Sequence, residues 1–569
     1  MSGQKDGGMP TAPQAPGAPH LPVSRRTTLA GLAGSAALAV LPWRAPAYGA
    51  EAGPVFRHGV ASGDPDAHGV VLWTRVTATG EQVDVAWELS RDPQFRSILR
   101  CGTVATGPER DYTVKLLADG LEPGETLYYR FRLGEAVSPT GRARTLPVGR
   151  TEKLGIALAS CSNYPFGFFN SYDAIARDPG VDFVLHIGDY IYEYGADGWG
   201  TEIGSQIGRL HEPANEIVSL SDYRTRHAQY KTDGGSQAMH AAHTLLACWD
   251  DHESANNPWT GGAQHHQPET EGDWTVRRAN SIRAYFEYMP VREPEWLSVK
   301  GRSRMQFWRS YSFGDLATLC TLETRHTARA RQVDYADFVT SDRKEVTRLV
   351  DDAVGAPGRA LISPELESDL SASLKASVAA GQPWRLIGNQ IVIARIRVPD
   401  VSELGLPAGP DEHGSSLAWQ GKWNLPSMPD AWDGYAWARE RFYALSRDAG
   451  AGDLIFLSGD SHAFWANQLA DGSGRPAGVE LGTAGISSPG NLLGYGAEAA
   501  SRISGALAEH NPEVLWTDGT HQGYVRLELT RERGTASFIV IDTALKPDYR
   551  PSILQRFAVE KRNGIVTLA

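Results

Sequence analysis

The amino-acid sequence predicts an α/β fold in which buried β-sheets are covered by helices and preceded by a small all-β sandwich. Residues 54–147 contain short strand patterns separated by Gly, Pro or Asp, which is typical of a sandwich. From about Lys153 onward, continuous apolar runs end in polar clusters and alternate with helical patterns, as in sheets buried on both faces. At 569 residues the chain is too long for one ordinary core, so we expect two or more domains.

We expect three segments: a leader over residues 1–52, an all-β domain over 53–148, and a larger α/β domain with a C-terminal tail over 149–569. The leader contains the pair Arg25-Arg26, a mild apolar run from Leu29 to Leu41, and then small residues around Ala47. This order predicts a cleavable export signal of the twin-arginine type, which carries folded proteins. The alternative is a chance Arg-Arg pair before an Ala-rich loop.

The leader predicts a location and a partner. We expect the protein to engage the twin-arginine export machinery and to be secreted or periplasmic. The apolar run is shorter than the roughly 20 residues that span a bilayer, so we expect no stable membrane anchor after cleavage. The net charge of -12 predicts no specific nucleic-acid partner, because rows of phosphates repel an acidic surface. It does not exclude a small phosphate ester, since a bound metal reverses the local field.

The strand patterns of the all-β segment are rich in Val, Trp, Tyr and Thr. Five strands are expected: Val70–Ala78, Val83–Ser90, Leu99–Ala105, Tyr112–Leu117 and Thr126–Leu133. We expect Trp73 and Trp87 to be core aromatics of this sandwich. In the larger domain, helices are expected over Leu220–Tyr230, Arg277–Tyr288, Pro364–Ala380 and Trp437–Asp448.

Four apolar runs of the larger domain end in polar clusters. The clusters are Ser160-Cys161-Ser162-Asn163, Gly188-Asp189-Tyr190-Ile191-Tyr192, Asp250-Asp251-His252-Glu253 and Gly459-Asp460-Ser461-His462. Because ligands of α/β sheets bind beyond strand ends, we expect these side chains to converge. Each cluster alone has a structural alternative, which is a Gly-Asp turn or a capped helix with acids in its first turn. Their recurrence after strands favours a functional site.

The residue types in these clusters suit a pair of metal ions. Hydrolysis of a phosphate ester needs a nucleophile and neutralisation of phosphoryl charge, which two metals about 3.5–4 Å apart can supply through a bridging carboxylate. Asp189 follows a strand and a Gly, so it can stand between two metals, while Asp251 and His252 follow another strand. Asp460 and His462 are two residues apart, which puts both on one face of an extended segment.

These motifs resemble those of the calcineurin-like metallophosphoesterases, and more closely those of the PhoD-type alkaline phosphatases. The resemblance runs from about Phe56 to about Asp542 and implies a four-layer metallophosphoesterase β-sandwich flanked by helices, after an Ig- or fibronectin-like domain. The chain departs from the general superfamily pattern in the manner of PhoD-like proteins. Cys161 and Asn163 replace the first Asp and His, Asp251 replaces an Asn, and Asp460 replaces a His.

The resemblance also implies the metals. The expected ligands are Cys161, Tyr192 and His462 for Fe³⁺, and Asp189, Asp251 and Asp460 for Ca²⁺. Thiolate and phenolate are strong anionic donors that favour iron, and an oxygen-rich site suits calcium. The Asp189-to-Tyr192 spacing is similar to that of purple acid phosphatases. The structural alternatives are a buried hydrophobe for Cys161 and a core aromatic for Tyr192.

Two catalytic residues are expected outside the ligand set. His252 would face the substrate, as proton donor to the leaving alkoxide or as a contact to phosphoryl oxygens. Arg325 could hold a phosphate with its guanidinium fork, or form a shifted ion pair, because Glu323 stands where the family has Asp. Asn257 and Asp433 are additional candidates for metal or substrate contact. Their alternatives are a helix cap and the support of a neighbouring loop.

The resemblance and the motifs together predict an exported alkaline phosphatase for phosphate scavenging. The expected reaction is attack by a metal-activated hydroxide or oxo group on phosphomonoesters, with phosphodiesters as further candidate substrates. One alternative is a phospholipase D-like phosphodiesterase of the same family. A second alternative is a non-catalytic exported binding protein, which would not need the metal cluster.

Overall fold

The computed structural model describes residues 54–338, 345–404 and 417–569. The predicted leader over residues 1–52 lies outside the described residues. In the described ranges, no helix combines the length and the apolar character that crossing a membrane requires.

The strands are numbered in chain order. They are β1 (Val60–Gly63), β2 (Val70–Arg75), β3 (Val83–Ser90), β4 (Arg100–Thr106), β5 (Thr113–Ala118), β6 (Thr126–Leu133), β7 (Ala136–Val137), β8 (Gly141–Arg144), β9 (Lys153–Ala159), β10 (Phe183–His186), β11 (Thr244–Ala247), β12 (Pro258–Trp259), β13 (Gly262–Ala263), β14 (Ser310–Phe313), β15 (Ala317–Thr321), β16 (Trp384–Gly388), β17 (Leu454–Ser458), β18 (Phe464–Ala470), β19 (Pro476–Gly482), β20 (Val514–Asp518), β21 (Gly523–Thr530), β22 (Arg533–Ile541), β23 (Pro551–Arg562) and β24 (Ile565–Leu568).

The α-helices fill the connections between these strands. They are α1 (Asn170–Ala176), α2 (Thr201–Ile207), α3 (Leu220–Tyr230), α4 (Gly234–Ala242), α5 (Pro268–Glu271), α6 (Trp274–Tyr288), α7 (Val346–Val354), α8 (Pro364–Ala379), α9 (Leu417–Lys422), α10 (Ala436–Asp448) and α11 (Ala497–His510). Ser219 begins α3 with a capping box, in which its hydroxyl accepts from the backbone N–H of Asp222.

A ten-stranded sheet has the order β24-β23-β22-β21-β9-β10-β11-β1-β2-β5. Strands β9, β10, β11 and β1 pair in parallel at its centre, and antiparallel strands continue the sheet on both sides. Every residue of β10 and β11 is buried, as expected for parallel strands covered on both faces. This arrangement places the ends of β9, β10 and β11 side by side.

A seven-stranded sheet, β14-β15-β16-β17-β19-β18-β20, packs against the ten-stranded sheet. Alternate residues of its central strands enter two different cores. Leu386 and Ile455 share a core with Leu185 of the ten-stranded sheet. The neighbouring residues Ile387 and Phe456 enter the second core, on the outer face of the seven-stranded sheet, together with side chains of α8, α10 and α11. The two facing sheets with helices outside them confirm the predicted α/β fold.

The predicted all-β segment forms two layers, and one of them is continuous with the ten-stranded sheet. Strands β3, β4, β6, β7 and β8 make a separate five-stranded sheet. Strands β1, β2 and β5 extend the ten-stranded sheet instead, because β1 pairs in parallel with β11, Ser62 opposite Thr244. Leu72 and Val85 meet in the core between the two layers.

Trp73 differs from its predicted position in the core of the sandwich. Successive side chains of a strand face opposite sides, so Leu72 of β2 points into the sandwich core and Trp73 points away. The indole lies 6.1 Å from the ring of Tyr288, and its Nε1–H donates to the carbonyl of Glu287 in α6. Trp87 is half-buried and does pack against the sandwich core.

Candidate metal centre

The four polar clusters meet at one edge of the two facing sheets. Cys161, Asp189 and Asp251 lie on loops that directly follow β9, β10 and β11, which are neighbours in the ten-stranded sheet. Asp460 and His462 follow β17 of the seven-stranded sheet. The predicted convergence of these side chains follows from the pairing of their strands.

The backbone is strained at several predicted ligands. Positive φ angles occur at Cys161 (59°), Asp189 (55°), Asn257 (50°), Asp460 (60°) and His462 (52°). Residues other than glycine rarely adopt this conformation, and it persists where the surrounding structure holds it, often at functional sites. The loops therefore hold these side chains in orientations that relaxed chain segments would not favour.

One group of candidate ligands combines sulfur, nitrogen and oxygen. Ligand atoms of Cys161, Asp189 and His462 all lie within 4.8 Å of one another. The Tyr192 hydroxyl lies 3.0 Å from Oδ2 of Asp189 and 3.1 Å from Nε2 of His462. Cys161 and Tyr192 are fully buried. The structure thus brings together the three residues predicted for iron and the carboxylate predicted to bridge.

A second group consists of carboxylates alone. Oxygens of Asp189, Asp250, Asp251 and Asp460 all lie within 4.8 Å of one another. Asp250 was not among the predicted ligands, although it stands next to Asp251 in the same cluster. Its Oδ1 accepts from Arg325, and its buried Oδ2 has no hydrogen-bond partner among the described residues.

The electrostatics of the protein atoms alone oppose this accumulation of anions. Burial, followed by the charge of Asp251, raises the pKa of Asp189 well above its usual range. Burial and the charge of Asp250 do the same to the pKa of Asp460. Burial, and then the nearby Asp189 carboxylate, raises the pKa values of the Cys161 thiol and the Tyr192 phenol.

A multivalent cation fits this donor set. Bound cations favour the anionic forms of coordinating groups, which is the opposite of what burial and carboxylate repulsion do here. The sulfur, phenol and imidazole group suits a transition metal, and the all-oxygen group suits a hard cation. The chemistry of the residues therefore agrees with two metals of different character that share Asp189.

His252 lies beside this cluster and is held by Glu193. Its Nδ1 is 2.6 Å from Oε2 of Glu193, a fully buried carboxylate that no sequence motif singled out. The imidazole stacks on the Tyr192 ring with centroids 4.2 Å apart. Burial opposes a charged ring, but Asp251 and Glu193 raise the pKa of His252 well above its usual value. These two carboxylates therefore favour the protonated form of the ring.

Arg325 is fully buried among acidic and amide side chains. Its Nε donates to Asp250, its Nη2 donates to Asp460 at 3.2 Å, and its Nη1 donates to Oδ1 of Asn257 at 3.3 Å. Asn257 in turn donates its backbone N–H to Oδ2 of Asp251 at 2.9 Å. These contacts are those of an ion pair, so phosphate binding by Arg325 and metal binding by Asn257 stay predictions.

Asp433 is not brought together with the other candidates. Its Oδ1 accepts from Arg439 at 2.9 Å, and its Oδ2 accepts from the backbone N–H of Ile396 at 3.1 Å. Burial raises the pKa of Asp433 to about 6, although Arg439 opposes this. These contacts correspond to the support of a loop. A different acid of the same segment, Asp430, lines the cavity beside Asp460 and was missed.

The candidate metal ligands Asp189, Asp251, Asp460 and His462 lie at the floor of an open cavity of about 720 Å³. Its polar lining includes Asp189, Asp251, His252, Asp460 and His462. The cavity is large enough for a small ester, since ligand sites typically span ~300–1,000 Å³. In the described part of the chain, none of the residues from β23 or β24 lines it.

Comparisons with known proteins find similar phosphatases. The family model described as PhoD-like phosphatase matches residues 156–538, and the model for the N-terminal domain of PhoD-like phosphatases matches residues 44–147. The chain is 33% identical over 520 residues to alkaline phosphatase D of Bacillus subtilis (strain 168), covering 89% of this chain and 81% of that protein. A solved structure of PhoD is similar with a TM-score of 0.73 and 30% identity, covering 90% of this chain and 92% of that one.

Proposed function

The chain belongs to the PhoD-like phosphatase family and is a phosphoric ester hydrolase, and from this premise we propose that it is an exported alkaline phosphatase for phosphate scavenging. The predicted family, fold class and enzyme class are confirmed. Membership of this family argues against the non-catalytic binding protein that the sequence left open. Phosphomonoesters are the proposed main substrates, and export by the twin-arginine route rests on the leader sequence alone.

The proposed cofactors are Fe³⁺ and Ca²⁺. Cys161, Tyr192 and His462 would hold the iron, Asp251 and Asp460 would hold the calcium, and Asp189 would stand between them. The observation that carries this proposal is the convergence of a thiol, a phenol and an imidazole on the carboxylate of Asp189. Bound metals of this kind activate water and neutralise charge on phosphoryl oxygens.

The residues of the chain have defined tasks in this reaction. Glu193 accepts from Nδ1 of His252, so the opposite ring nitrogen, Nε2, is the one that remains for the cavity. A protonated His252 can donate its Nε2 proton to the leaving alkoxide as the ester bond breaks. The buried Arg325 offsets part of the negative charge of Asp250 and Asp460, which keeps the carboxylates close together.

The metal assignment is tested by a visible spectrum and metal analysis of the purified protein. We expect iron, calcium and a broad tyrosinate-to-iron absorption band. The band should be lost in Tyr192→Phe, because that change removes the phenol oxygen beside Asp189 and His462. Tyr194→Phe is the matched control, since Tyr194 lines the same cavity outside the ligand group. It should retain the band.

Other results would redirect the assignment. A protein that contains only zinc or manganese and hydrolyses 4-nitrophenyl phosphate would keep the hydrolase and reject the pairing of iron with calcium. A band that survives in Tyr192→Phe would remove Tyr192 from the ligand set. Loss of the band in both variants would indicate general damage to the site.

A further inference from the structure

Large apolar side chains line part of the mouth of the active-site cavity. Trp199 is 37% exposed and Leu493 is 39% exposed, and both line the cavity. Met428 and Pro489 add further apolar surface to the lining. The lining also contains the polar side chains Asn256, Asp430, Ser461 and Asn491, and none of the lining residues in the described ranges is Lys or Arg. The apolar part of the mouth therefore offers contact to carbon atoms, and the lining offers no Lys or Arg to a second anionic group.

The indole of Trp199 is fixed in place although it is exposed. Its ring lies 4.6 Å from the ring of Phe166 and stacks on the His462 imidazole at 5.6 Å with an interplanar angle of 3°. The next residue, Gly200, has φ +100°, and a Cβ there would lie 2.9 Å from Cβ of Pro165. Glycine thus lets the loop close against Pro165 and Phe166. An ordered, exposed aromatic ring at a cavity mouth is a surface that a ligand can cover.

An aromatic surface runs from Trp199 to the floor of the cavity. His252, Tyr194 and Trp199 all line this cavity. The Tyr194 ring lies 5.4 Å from the His252 ring and 6.0 Å from the Trp199 ring. Because the alcohol is the only organic part of a phosphomonoester, a substrate with its phosphoryl group at the acidic floor has only its leaving group to place against this surface.

On the basis of the proposed hydrolase mechanism, we propose that Trp199 and Leu493 form a leaving-group subsite that selects phosphate esters of apolar alcohols, aryl or alkyl. An apolar leaving group removes the indole and the leucine side chain from water, at about 25 cal/mol for each Å² covered. A hydroxyl-rich leaving group gains less, because its own groups lose water without polar partners at these two side chains.

The test compares four substrates in the metal-loaded enzyme: methyl, glycerol, phenyl and hexyl phosphate. In Trp199→Ala and in Leu493→Ala, kcat/KM should fall roughly tenfold for phenyl and hexyl phosphate relative to methyl and glycerol phosphate. Comparing each variant with the wild type on the same substrate cancels intrinsic differences in leaving-group reactivity. A fall in kcat/KM for phenyl phosphate alone would restrict the subsite to aromatic alcohols. A fall in kcat/KM for both phenyl and hexyl phosphate would show that the subsite also accepts alkyl chains.

Controls separate the subsite from indirect effects. Trp437→Ala and Leu515→Ala change a half-buried Trp and an exposed Leu that do not line the cavity, so they should leave the substrate ratios unchanged. Metal content is measured in every variant, because Trp199 stacks on His462. Equal losses on all four esters, or no change in the ratios, would overturn the subsite. A loaded wild type that hydrolyses none of the esters would instead overturn the proposed function.

Discussion

Glu193 is a single buried carboxylate that can orient the ring of His252, the proposed proton donor. Its Oε2 lies 2.6 Å from Nδ1 of His252, and its Oε1 accepts from the backbone N–H of Asn256 at 2.7 Å. Burial disfavours the Glu193 anion, but the His252 charge holds the pKa of Glu193 well below its usual value. The Glu193 carboxylate therefore orients the His252 imidazole and favours the charged form of that ring.

We expect Glu193→Gln to lower kcat for phosphate ester hydrolysis by roughly 10- to 100-fold with little change in KM. The amide keeps the size of the side chain and removes the negative charge that supports protonated His252. Steady-state kinetics with metal analysis checks this. Glu367→Gln, which changes a surface partner of Arg441, should have no effect. Loss of bound metal with an unchanged kcat per metal would mean that Glu193 only supports the fold.

Arg325 is predicted to support the carboxylate cluster more than to bind phosphate. Its side chain has no exposed surface, and it lies close to three acids, Asp250, Asp251 and Asp460. Removing one partner of a buried ion pair leaves uncompensated charge, which typically costs about 3–5 kcal/mol.

Arg325→Ala should therefore lower the free energy of unfolding of the metal-free protein by about 3–5 kcal/mol, and by less when Ca²⁺ is present, because the cation offsets the same carboxylates. Urea unfolding with EDTA and with Ca²⁺ measures both values. Arg441→Ala, at an exposed pair, should change stability by about 1 kcal/mol or less. An unchanged stability with a raised KM would favour the phosphate-binding role instead.

At the scale of elements, helix α3 carries a buried histidine into the core behind the site. His227 stacks between Tyr190 and Tyr288, with ring centroids 6.3 Å and 5.4 Å away. Neither ring nitrogen has a partner among the described residues. Burial, with a smaller effect of Lys231, lowers the pKa of His227 to about 3.

The sign of the resulting pH dependence follows from proton uptake. Below pH 6.5 the unfolded chain protonates His227 and the folded protein does not, so stability falls as the pH decreases toward the folded pKa of about 3. His227→Phe removes this contribution. The unfolding free energy of the wild type relative to His227→Phe should fall by about 2 kcal/mol from pH 7 to pH 5.

Urea unfolding of both proteins at several pH values measures this difference. Between pH 7 and pH 8 the difference should be constant, because His227 is neutral in both states there. A difference that is also constant between pH 7 and pH 5 would show that His227 gains a proton in the folded protein.

At the scale of the whole molecule, the N-terminal strands and the catalytic core share one sheet. Gly63 of β1 lies at this seam opposite Leu245 of β11. A Cβ on Gly63 would lie 2.5 Å from the carbonyl oxygen of Pro290 and 2.9 Å from that of Leu245. The continuous hydrogen bonding predicts that both parts unfold together, even though we expected them as separate segments 53–148 and 149–569.

Gly63→Ala should unfold in a single transition with a lower urea midpoint than the wild type. The free energy of unfolding should fall by about 1–3 kcal/mol because the added methyl group overpacks the seam. Circular dichroism, which reports the whole molecule, and phosphatase activity, which reports the site, should change together. Gly505→Ala is the control, because that position in α11 is exposed and has open space around it. It should be neutral or slightly stabilising. Two separate transitions would mean that the N-terminal part is an independent domain.

Local sequence patterns predicted many elements closely. The expected strands Val83–Ser90 and Thr126–Leu133 and the expected helix Leu220–Tyr230 have the same bounds in the structure. Their periodicity and flanking turn or capping residues are signals carried by neighbouring positions. Cys161 and Asp189 could be selected for the same reason, since each directly follows an apolar strand.

The sequence by itself determined many of the strands and helices, such as β3, β6 and α3, and which polar clusters stand at strand ends. Only the tertiary structure decided that β1 joins β11, that Glu193 holds His252, and that Asp250 rather than Asp433 enters the carboxylate cluster. These contacts join residues far apart in the chain, such as Glu193 and His252, which are 59 positions apart. Periodicity and capping act over a few residues, whereas pairing across such separations depends on how the sheets pack.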